Sequence, residues 1–564
     1  MIFKNRPSIR IIILSLTLLL VFSNTDFVRA EIIPTDRLVS WDPGVPGGIP
    51  SYPVFADVTQ TPYNAVGDGI ADDTAAIQDA LDDCPVGRTV FLPEGVYRVL
   101  STLYIRKGII LRGAGPHRTL IRNESTSTGN VILMRASSYS GGATADIIDA
   151  PSKGETEMVV DSTAGFSPGD YVIVSQVNDP DLVDIEGCTW CGSRAMSQIL
   201  PLSALSENTL MLGRPLYFSL SSSLEPRVSL VDSILTRAGV EDLYLERLSG
   251  SGSYSDTNMI EINNAAECWI RNVVSYKAVG AHVRMQGTFR CEVRDSYFHH
   301  GHSYDGGRAY GVFLFGRNSD NLLENNVFYY LRHSMVLEAG GSGNVFGYNY
   351  SARMFDANYP DTDWLMSDVS THGAHPFMNL FEGNIIAHLD FDNVWGSSSH
   401  NTVFRNHITR FSEGENETVD LALWAVEVQE NNYYENVVGN VLCESGCQGV
   451  VDPLEPMTTS TKSIWRIGYN GGNPQNVSDD NVMATLLRHG NFDYISQTTV
   501  WDPTITDQLL PDSYYLSSKP PFFGSMPWPS TGPDLDPIVG NLPARERFIS
   551  LIKRPAAPNG VQGQ

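Results

Sequence analysis

The sequence predicts an all-β fold, a single-stranded parallel β-helix, in which each coil of a solenoid adds short strands to long parallel sheets. The first observation is a repeat of polar residues along the middle of the chain, at Asn272, Asp295, Asn326, Asn349, Asn384 and Asn406. The steps are 23, 31, 23, 35 and 22 residues, as in a solenoid whose coils carry occasional loops. The second observation is that β-branched and aromatic runs such as VVSY and VFYY surround these positions, which indicates strands.

The third observation is an opening segment in which a short helix precedes several Gly-bounded strands. In 63–84, Asp72 or Asp73 can cap a helix that buries Ile77 and Leu81. The following TVFLPEGVYRV and LYIRKGIILRGAG predict strands separated by tight turns. We therefore expect a helix at the start of the solenoid and strands directly after it.

The motifs DGIADDTAAIQDAL, VFLPEGVYRV and IILRGAG resemble the opening of the pectate-lyase superfamily, which includes rhamnogalacturonase- and epimerase-like members. The resemblance covers about 50 residues. It implies a right-handed parallel β-helix whose N-terminal end is closed by the helix. The superfamily contains lyases, hydrolases, epimerases and phage tailspikes, so the resemblance indicates a fold and leaves the chemistry open.

The N-terminus predicts export. A basic stretch precedes the apolar run 11–22, and a small-residue cleavage pattern ends at Ala30, as in a secretory signal peptide. The alternative is an uncleaved membrane anchor. We expect a secreted or periplasmic protein, with residues 31–564 as the mature chain.

Composition shifts and the repeat divide the chain into segments. These are a signal peptide at 1–30, a capping helix and first coils at 31–135, an inserted β-rich lobe at 136–235, the main coils at 236–450 and a C-terminal tail at 451–564. The tail is rich in Pro, Trp and Tyr, which is typical of an extended segment packed on the solenoid. The main coils are expected to carry the active groove.

The net charge restricts the classes of binding partner, and the cysteine positions indicate a candidate disulfide. The formal charge is −26, and removing the four basic residues and one acid of 1–30 leaves −29, which argues against nucleic acid and anionic membranes. A local basic strip still permits an acidic substrate, so we expect a polysaccharide partner and a monomer or homotrimer. Cys268 and Cys291 are one coil apart and so are candidates for a disulfide.

The positions four residues after the repeated Asn and Asp residues form a polar ladder. The positions seven residues after Asp295, Asn326 and Asn349 add His302, His333 and Asp356. A polar ladder facing the dry core would be costly to desolvate, so it is expected to face a groove. The catalytic candidates are His299, His302, Tyr330, His333, Arg353 and His388. The alternatives are ordinary solvated turn residues, or a register displaced by one residue.

Further candidates lie in loops, above all in the long insertion at 353–376. The substrate-binding candidates are Tyr304, Arg308, Trp364, His375 and Trp395. Asp361 and Asp363 are candidate Ca²⁺ ligands, which makes Ca²⁺ the candidate cofactor of this loop, and a transition metal at His372 and His375 is an alternative. A solvated acidic loop is the simplest alternative.

Carboxylates near the same groove offer acid and base groups for glycoside hydrolysis. These alternative acid/base candidates are Asp356, Asp390, Asp392 and Glu338. Metal ligation and a solvated turn remain alternatives for them. The Asn repeat itself is expected to form an internal hydrogen-bonded ladder with a structural role.

Three functions remain open at this point. A lyase acting on a uronic acid polymer needs a base, an acid and a group that neutralises the carboxylate, and His, Tyr and Arg supply these types. A glycoside hydrolase would use the paired carboxylates, although the Asp-Asp and Gly-His-Gly pattern of polygalacturonase-like relatives is absent. A glycan-binding surface protein without activity is the third.

Overall fold

The computed structural model describes residues 32–136, 142–358, 364–410, 421–444, 463–470, 473–477 and 479–552. Within them the predicted parallel β-helix is confirmed, because successive coils pair in register through parallel strands. No helix of the described residues is both long and apolar enough to span a membrane. Each coil contributes to three faces, which we call the first, second and third face.

The first face begins with the strands that follow the N-terminal segment. Its strands are Val54–Asp57, Thr89–Leu92, Ile110–Gly113, Gly239–Arg247, Trp269–Ala278, Glu292–Arg294, Leu322–Glu324, Val345–Gly347, Leu380–Glu382, Thr402–Phe404, Asn436–Val438 and Leu487–His489.

The second face follows the first after a bend, and the long strands Gly239–Arg247 and Trp269–Ala278 run through both faces. Its other strands are Asp68–Asp72, Gly95–Val99, Thr119–Asn123, Tyr297–Gly301, Val327–Leu331, Tyr350–Met354, Ile385–Ile386, His407–Ile408, Val441–Leu442, Asn491–Asp493 and the antiparallel Thr498–Val500.

The third face is a separate sheet on the remaining side of the coil. Its strands are Leu103–Ile105, Ile132–Met134, Leu235–Thr236, Ile260–Ala266, Ala281–Phe289, Tyr310–Phe315, His333–Glu338, Val369–Thr371, Leu389–Phe391, Trp424–Val428 and Ser463–Ile467. Two short pairs, Gly341–Ser342 with Pro376–Phe377 and Tyr469–Asn470 with Asn473–Val477, lie at turns.

The core is filled by Ile, Val, Leu, Met and Phe side chains from all three faces. Alternate residues of each strand point inward, so the residues between them point outward on every coil. Because parallel strands pair in register, outward residues of successive coils stack into columns.

The predicted internal Asn ladder is present. The Oδ1 of Asn349 accepts hydrogen bonds from the backbone N–H (2.9 Å) and Nδ2 (3.1 Å) of Asn326. The same pattern continues through Asn384, Asn406, Asn440 and Asn491. A second ladder of the same kind runs through Asn321, Asn344, Asn379 and Asn401 and ends at Glu435. Each ladder satisfies backbone donors that the turn leaves unpaired.

The predicted register is wrong by one residue at the upstream end. The ladder position before Asn326 is held by Ser296, whose backbone N–H donates to Asn326 Oδ1. Asp295 instead accepts from Asn325, and Asn272 donates to Asp242, outside the ladder. The reason is that short polar side chains also favour the left-handed backbone of the neighbouring position, where φ is 56° at Asp295.

The opening helix is Thr74–Asp83, and it buries Ile77 and Leu81 as predicted. Asp72 Oδ1 accepts from the backbone N–H of Thr74, whereas Asp73 accepts from Val66 and Gly67 in the preceding loop. Together these two carboxylates fix the helix start and the loop before it.

Between the third-face strands Ile132–Met134 and Leu235–Thr236 the chain forms a six-stranded antiparallel sheet, which we call the lobe. Its strands are Thr144–Asp146, Glu157–Val159, Tyr171–Ser175, Ser197–Ser206, Thr209–Leu212 and Arg227–Leu230. A disulfide joins Cys188 and Cys191 in the loop between two of these strands. The candidate disulfide between Cys268 and Cys291 is not formed, and both are buried free thiols.

The remaining helices are short. They are the α-helices Asp480–Thr485 and Pro543–Ile552 and the 3₁₀ helices Thr35–Arg37, Ser222–Leu224 and Pro521–Phe523. The C-terminal segment packs on the first and second faces, where Tyr515 donates to Glu324 and Arg405 forms a two-pronged ion pair with Asp534. This packing concerns residues 510–548, whereas the strand Ser463–Ile467, which also falls in the predicted tail, belongs to the third face.

Candidate active site

A cleft of about 760 Å³ lies over the third face. Its floor is formed by outward side chains of successive coils, and its walls are formed by loops and by the lobe. The residues that line it include most polar groups of this face and four tryptophans, namely Trp190, Trp364, Trp395 and Trp424. Concave sites with aromatic walls and a few convergent polar groups are typical of ligand-binding sites.

The columns of the third face explain how these polar groups meet. Ser370, Asp390, Glu427 and Arg466 pair in register on four successive coils. Their spacing along the chain is irregular because loops of different length connect the coils. A polar column on one sheet is thus assembled from residues that are up to 96 positions apart.

His333 lines the cleft, is buried and has a defined tautomer. Its Nδ1 lies 2.7 Å from the carbonyl oxygen of Ser367, which can only accept, so Nδ1 carries the proton. The lone pair is therefore on Nε2. Burial, assisted by the nearby charges of Arg332 and His372, holds the pKa of His333 well below its ordinary value, so the ring is neutral at neutral pH.

Arg332, the neighbour of His333 in the chain, brings a positive charge to the same part of the cleft. One of its terminal nitrogens donates to the carbonyl oxygen of Tyr304 at 2.8 Å. Its Nε is buried and has no hydrogen-bond partner among the residues that the structure describes. A fixed guanidinium with an unused donor is suited to an anionic group of a ligand.

His372 and Asp392 form a second pair beside His333. The Nδ1 of His372 lies 2.8 Å from Asp392 Oδ2, and Ser370 donates to the same carboxylate oxygen at 2.6 Å. Burial alone would lower the pKa of His372, but Asp392, with a contribution from Glu338, raises it above its ordinary value. The His372 and His333 rings are 6.2 Å apart between centroids.

The lobe reaches the cleft through Trp190, which lies inside the Cys188–Cys191 disulfide loop. Its indole N–H donates to Glu338 Oε1, and its ring packs on Trp395 with centroids 5.1 Å apart. Burial raises the pKa of Glu338 above its ordinary value. The disulfide loop thereby holds an aromatic wall against a cleft carboxylate.

The later coils of the cleft contribute His388, Asp390, Glu427 and Arg466. His388 is 1% exposed, and its Nε2 lies 2.5 Å from Asp390 Oδ1. Glu427 contacts the Arg466 guanidinium, which stacks over Trp424 at 4.6 Å. One ligand atom each from His388, Asp390 and Glu427 lie within 4.8 Å of one another.

The structure divides the predicted site residues between two places. His333, His388, Glu338, Asp390, Asp392, Trp364 and Trp395 line the cleft. His299, His302, Tyr330 and Arg353 lie instead on or directly after strands of the second face and are not among the residues that line the cleft. Strand pairing keeps Tyr330 and Arg353 in register, and of the catalytic candidates at the four-residue offset His388 is the one that lines the cleft.

The second-face group forms a stacked cluster of its own. His299 is sandwiched between Tyr297 at 4.3 Å and Tyr276 at 4.9 Å. Tyr330 stacks on His300 at 4.8 Å, and the Arg353 guanidinium lies 5.3 Å from the Tyr330 ring. Through these contacts the side chains pack against one another at the edge of the coils.

Other candidates are also placed away from the cleft floor. His375 is fully buried, with its ring nitrogens 3.2 and 2.8 Å from the hydroxyls of Ser397 and Ser399, so it cannot contact a substrate. Asp356 accepts from the backbone of Asn358 in a local turn. Asp361 and Asp363 lie outside the described residues.

Tyr304 and Arg308 belong to a loop at the rim of the cleft, where Gly306 and Gly307 line it. Tyr304 contributes its carbonyl oxygen to Arg332 and packs its ring on Phe355 at 5.8 Å. Its role in this structure is thus to hold Arg332 in place.

Several cleft residues were not identified from the sequence, namely Trp190, Arg284, Tyr310, Arg332, Trp424, Glu427 and Arg466. Arg332 directly precedes a candidate histidine, and this adjacency was a usable signal. Glu427 and Arg466 follow long loops, so the spacing rule could not align them with Asp390. Trp190 comes from the lobe, and no local pattern connects the lobe to the third face.

A family model described as "Rhamnogalacturonase A/epimerase, pectate lyase-like" matches residues 57–164. Mannuronan C5-epimerase AlgE1 of Azotobacter vinelandii is 41% identical over 86 residues, which is 14% of this chain and 6% of that relative. The chain thus spans a small part of the curated relatives it matches. The matched family segment ends before the strands that form the cleft.

Among solved structures, the tailspike protein gp49 from Pseudomonas phage LKA1 has a TM-score of 0.48 at 17% identity, covering 71% of this chain and 68% of that one. The A-module of Azotobacter vinelandii mannuronan C-5 epimerase AlgE6 has a TM-score of 0.37 at 17% identity, covering 69% and 86%. Residues 57–164 are thus similar to the pectate-lyase-like, rhamnogalacturonase- and epimerase-related family, and the coils that continue from this segment form a parallel β-helix.

Proposed function

We propose that the chain is an exported enzyme that cleaves a uronic acid-containing polysaccharide by β-elimination in the third-face cleft. The observation that carries this proposal is the juxtaposition of Arg332, His333 and the His372–Asp392 pair in an aromatic-walled cleft. These groups correspond to the three requirements of the reaction, which are a base, an acid and a neutralised substrate carboxylate.

Arg332 is assigned to the substrate carboxylate. Its buried Nε has a donor to offer, and a guanidinium binds a carboxylate with charge-assisted hydrogen bonds. Neutralising the carboxylate makes the proton on the adjacent carbon C5 more acidic, because the carbanion that forms is stabilised by the same charge.

His333 is assigned as the base. Its Nε2 lone pair takes the C5 proton, and the electron pair of the C5–H bond forms the C4=C5 double bond. The bond from C4 to the glycosidic oxygen breaks, and that oxygen receives a proton from Nε2 of protonated His372. The products are an unsaturated sugar end and a new hydroxyl end, and both histidines then exchange protons with solvent.

Asp392 is a positioning residue for His372. Its carboxylate accepts from His372 Nδ1 and Ser370 and thereby fixes the orientation of the ring. The charge of Asp392 also favours the protonated ring, which an acid requires. The tryptophan walls are suited to the apolar faces of sugar rings.

The similarity to mannuronan C5-epimerases supports a uronic acid polymer as substrate. Epimerisation at C5 and β-elimination both begin with removal of the C5 proton. Mannuronan is therefore the first polymer to test, together with pectic and glycosaminoglycan chains and a neutral glucan as a control.

The test follows ultraviolet absorbance of unsaturated ends and total reducing ends with the purified full chain. We expect both signals to rise together on a uronic acid polymer. Reducing ends alone would replace the proposal by hydrolysis, and an altered C5 configuration without cleavage, read by NMR, would replace it by epimerisation. Binding without any product would leave a glycan-binding protein.

Glycoside hydrolysis receives less support from the cleft. Asp390 and Glu427 are within 4.8 Å of each other, closer than the roughly 5–5.5 Å of retaining enzymes or the roughly 6.5–9.5 Å of inverting ones. Asp392 already binds His372, Ser370 and the Val394 backbone. The carboxylates of this cleft are thus engaged with neighbouring groups.

A further inference from the structure

We infer that His388, Asp390 and Glu427 form a binding site for a divalent transition-metal ion, of the Zn²⁺ or Mn²⁺ class, on the coils of the cleft that follow His372. One ligand atom of each residue lies within 4.8 Å of the other two. The inference concerns a different cluster from the reacting groups proposed above, and it can be tested without any saccharide.

The imidazole of His388 is buried, and within the described part of the chain its hydrogen-bonding capacity is unused. Its side chain is 1% exposed, and neither ring nitrogen has a hydrogen-bond partner among the described residues. The 2.5 Å approach of Nε2 to Asp390 Oδ1 lacks the alignment of a hydrogen bond. A buried imidazole without partners is costly, and coordination of a metal would satisfy one nitrogen directly.

Hydrogen bonds to its backbone hold His388 in place. Asp368 Oδ2 accepts from the backbone N–H groups of Ala387 and His388, at 2.9 Å each. The Trp424 ring meets the imidazole edge-on, with centroids 5.5 Å apart. The backbone of His388 is thus fixed by a buried carboxylate, and its imidazole packs against an aromatic ring.

The register of the third-face strands places the three ligands next to one another. Asp390 and Glu427 pair on adjacent strands of the third face, so their side chains leave the sheet side by side. His388 directly precedes the strand Leu389–Phe391, two residues before Asp390. Three ligands therefore come from two rigid strands, which is the kind of support that fixes ligand geometry.

The cluster also carries a net negative charge. The side chains of Asp390, Glu427 and Arg466 are 15%, 3% and 4% exposed, so two carboxylates and one guanidinium share the cluster. Their sum is one negative charge, which a divalent cation would offset. Arg466 contacts Glu427 and would act as an outer partner that orients this ligand.

The ligand types select the metal class. Imidazole with carboxylates suits Zn²⁺ or Mn²⁺, whereas Ca²⁺ prefers six to eight oxygen ligands. In a tetrahedral Zn²⁺ site with ligand distances of about 2.0–2.2 Å, two ligand atoms lie about 3.3–3.6 Å apart. The widest pair of the cluster, at up to 4.8 Å, therefore needs a closure of about 1.2–1.5 Å, which side-chain rotations supply.

The experiment is a calorimetric titration of the chelator-treated full chain with Zn²⁺, Mn²⁺ and Ca²⁺ separately. We expect one equivalent of Zn²⁺ or Mn²⁺ to bind at least tenfold more tightly than Ca²⁺. His388→Ala should weaken this binding at least a hundredfold, and the near-isosteric Glu427→Gln at least tenfold. Asp356→Asn, outside the cleft, is the matched control and should bind as the unaltered protein does.

His333→Ala separates the two proposals, because it should lose turnover and keep metal binding. Circular dichroism of each variant in chelator checks that the coils are intact, and Glu427→Gln provides the reading if His388→Ala does not fold. Lack of Zn²⁺ and Mn²⁺ uptake by the unaltered chain, a preference for Ca²⁺, or unchanged affinity in folded His388→Ala or Glu427→Gln would each overturn the site.

Discussion

His333 and His372 lie on successive coils of the third face with their ring centroids 6.2 Å apart, yet their surroundings move their pKa values in opposite directions. Burial lowers the pKa of His333, whereas Asp392 outweighs burial and raises the pKa of His372. Two titratable groups whose environments separate their pKa values are suited to the roles of base and acid. The predictions below test this relationship and the scaffold that produces it.

His333→Ala should lower kcat by about a hundredfold to ten-thousandfold, because the C5 proton then has no positioned base. Arg353→Ala is the matched comparison, since Arg353 packs on Tyr330 at the second-face edge. It should retain turnover on the same polymer. Equal loss in both variants, measured as the rate of unsaturated-end formation, would move the site to the second face.

Asp392→Asn should shift the alkaline limb of the pH–rate profile to lower pH. His372 must be protonated to act as an acid, so activity falls as pH rises through its raised pKa. Removing the Asp392 charge removes the main group that raises this pKa, and burial then lowers it. The acid limb, set by His333, should stay below pH 6.5 in both proteins. An unchanged alkaline limb would contradict the assignment of His372.

Trp190→Ala should raise KM about tenfold, which corresponds to roughly 1.4 kcal/mol, because it removes one aromatic wall of the cleft. Trp190→Phe keeps a ring against Trp395 but loses the hydrogen bond to Glu338. Its KM should therefore lie between those of the other two proteins. If Trp190→Ala leaves KM unaltered in initial-rate measurements, the lobe does not contact the substrate.

Asn384→Ala should destabilise the fold by about 2–4 kcal/mol, because the backbone N–H and Nδ2 of Asn349 lose their shared acceptor inside the coil. Asn358→Ala, at an exposed turn, should change stability by less than about 0.5 kcal/mol. Denaturant unfolding of both variants measures the difference. Similar midpoints for the two would mean that the ladder contributes little.

Much of the scaffold could be predicted because it depends on residues that are close together in the sequence. The opening helix follows from its caps and from the buried pair Ile77 and Leu81. The Asn ladder follows from a nearly constant step, since stacking equal coils places equal positions above one another. The one-residue error at Asp295 arose because Ser296, rather than Asp or Asn, holds the ladder position there.

By itself, then, the sequence determined the coil, its period and the turn residues, all of which depend on short-range geometry. Only the tertiary structure decided which polar residues share the cleft, because loops of unequal length hide the alignment of Asp390, Glu427 and Arg466. It also decided that Trp190 of the lobe meets Glu338, two residues 148 positions apart. Such contacts depend on how coils stack and on where the lobe packs, and neither is encoded in any local spacing.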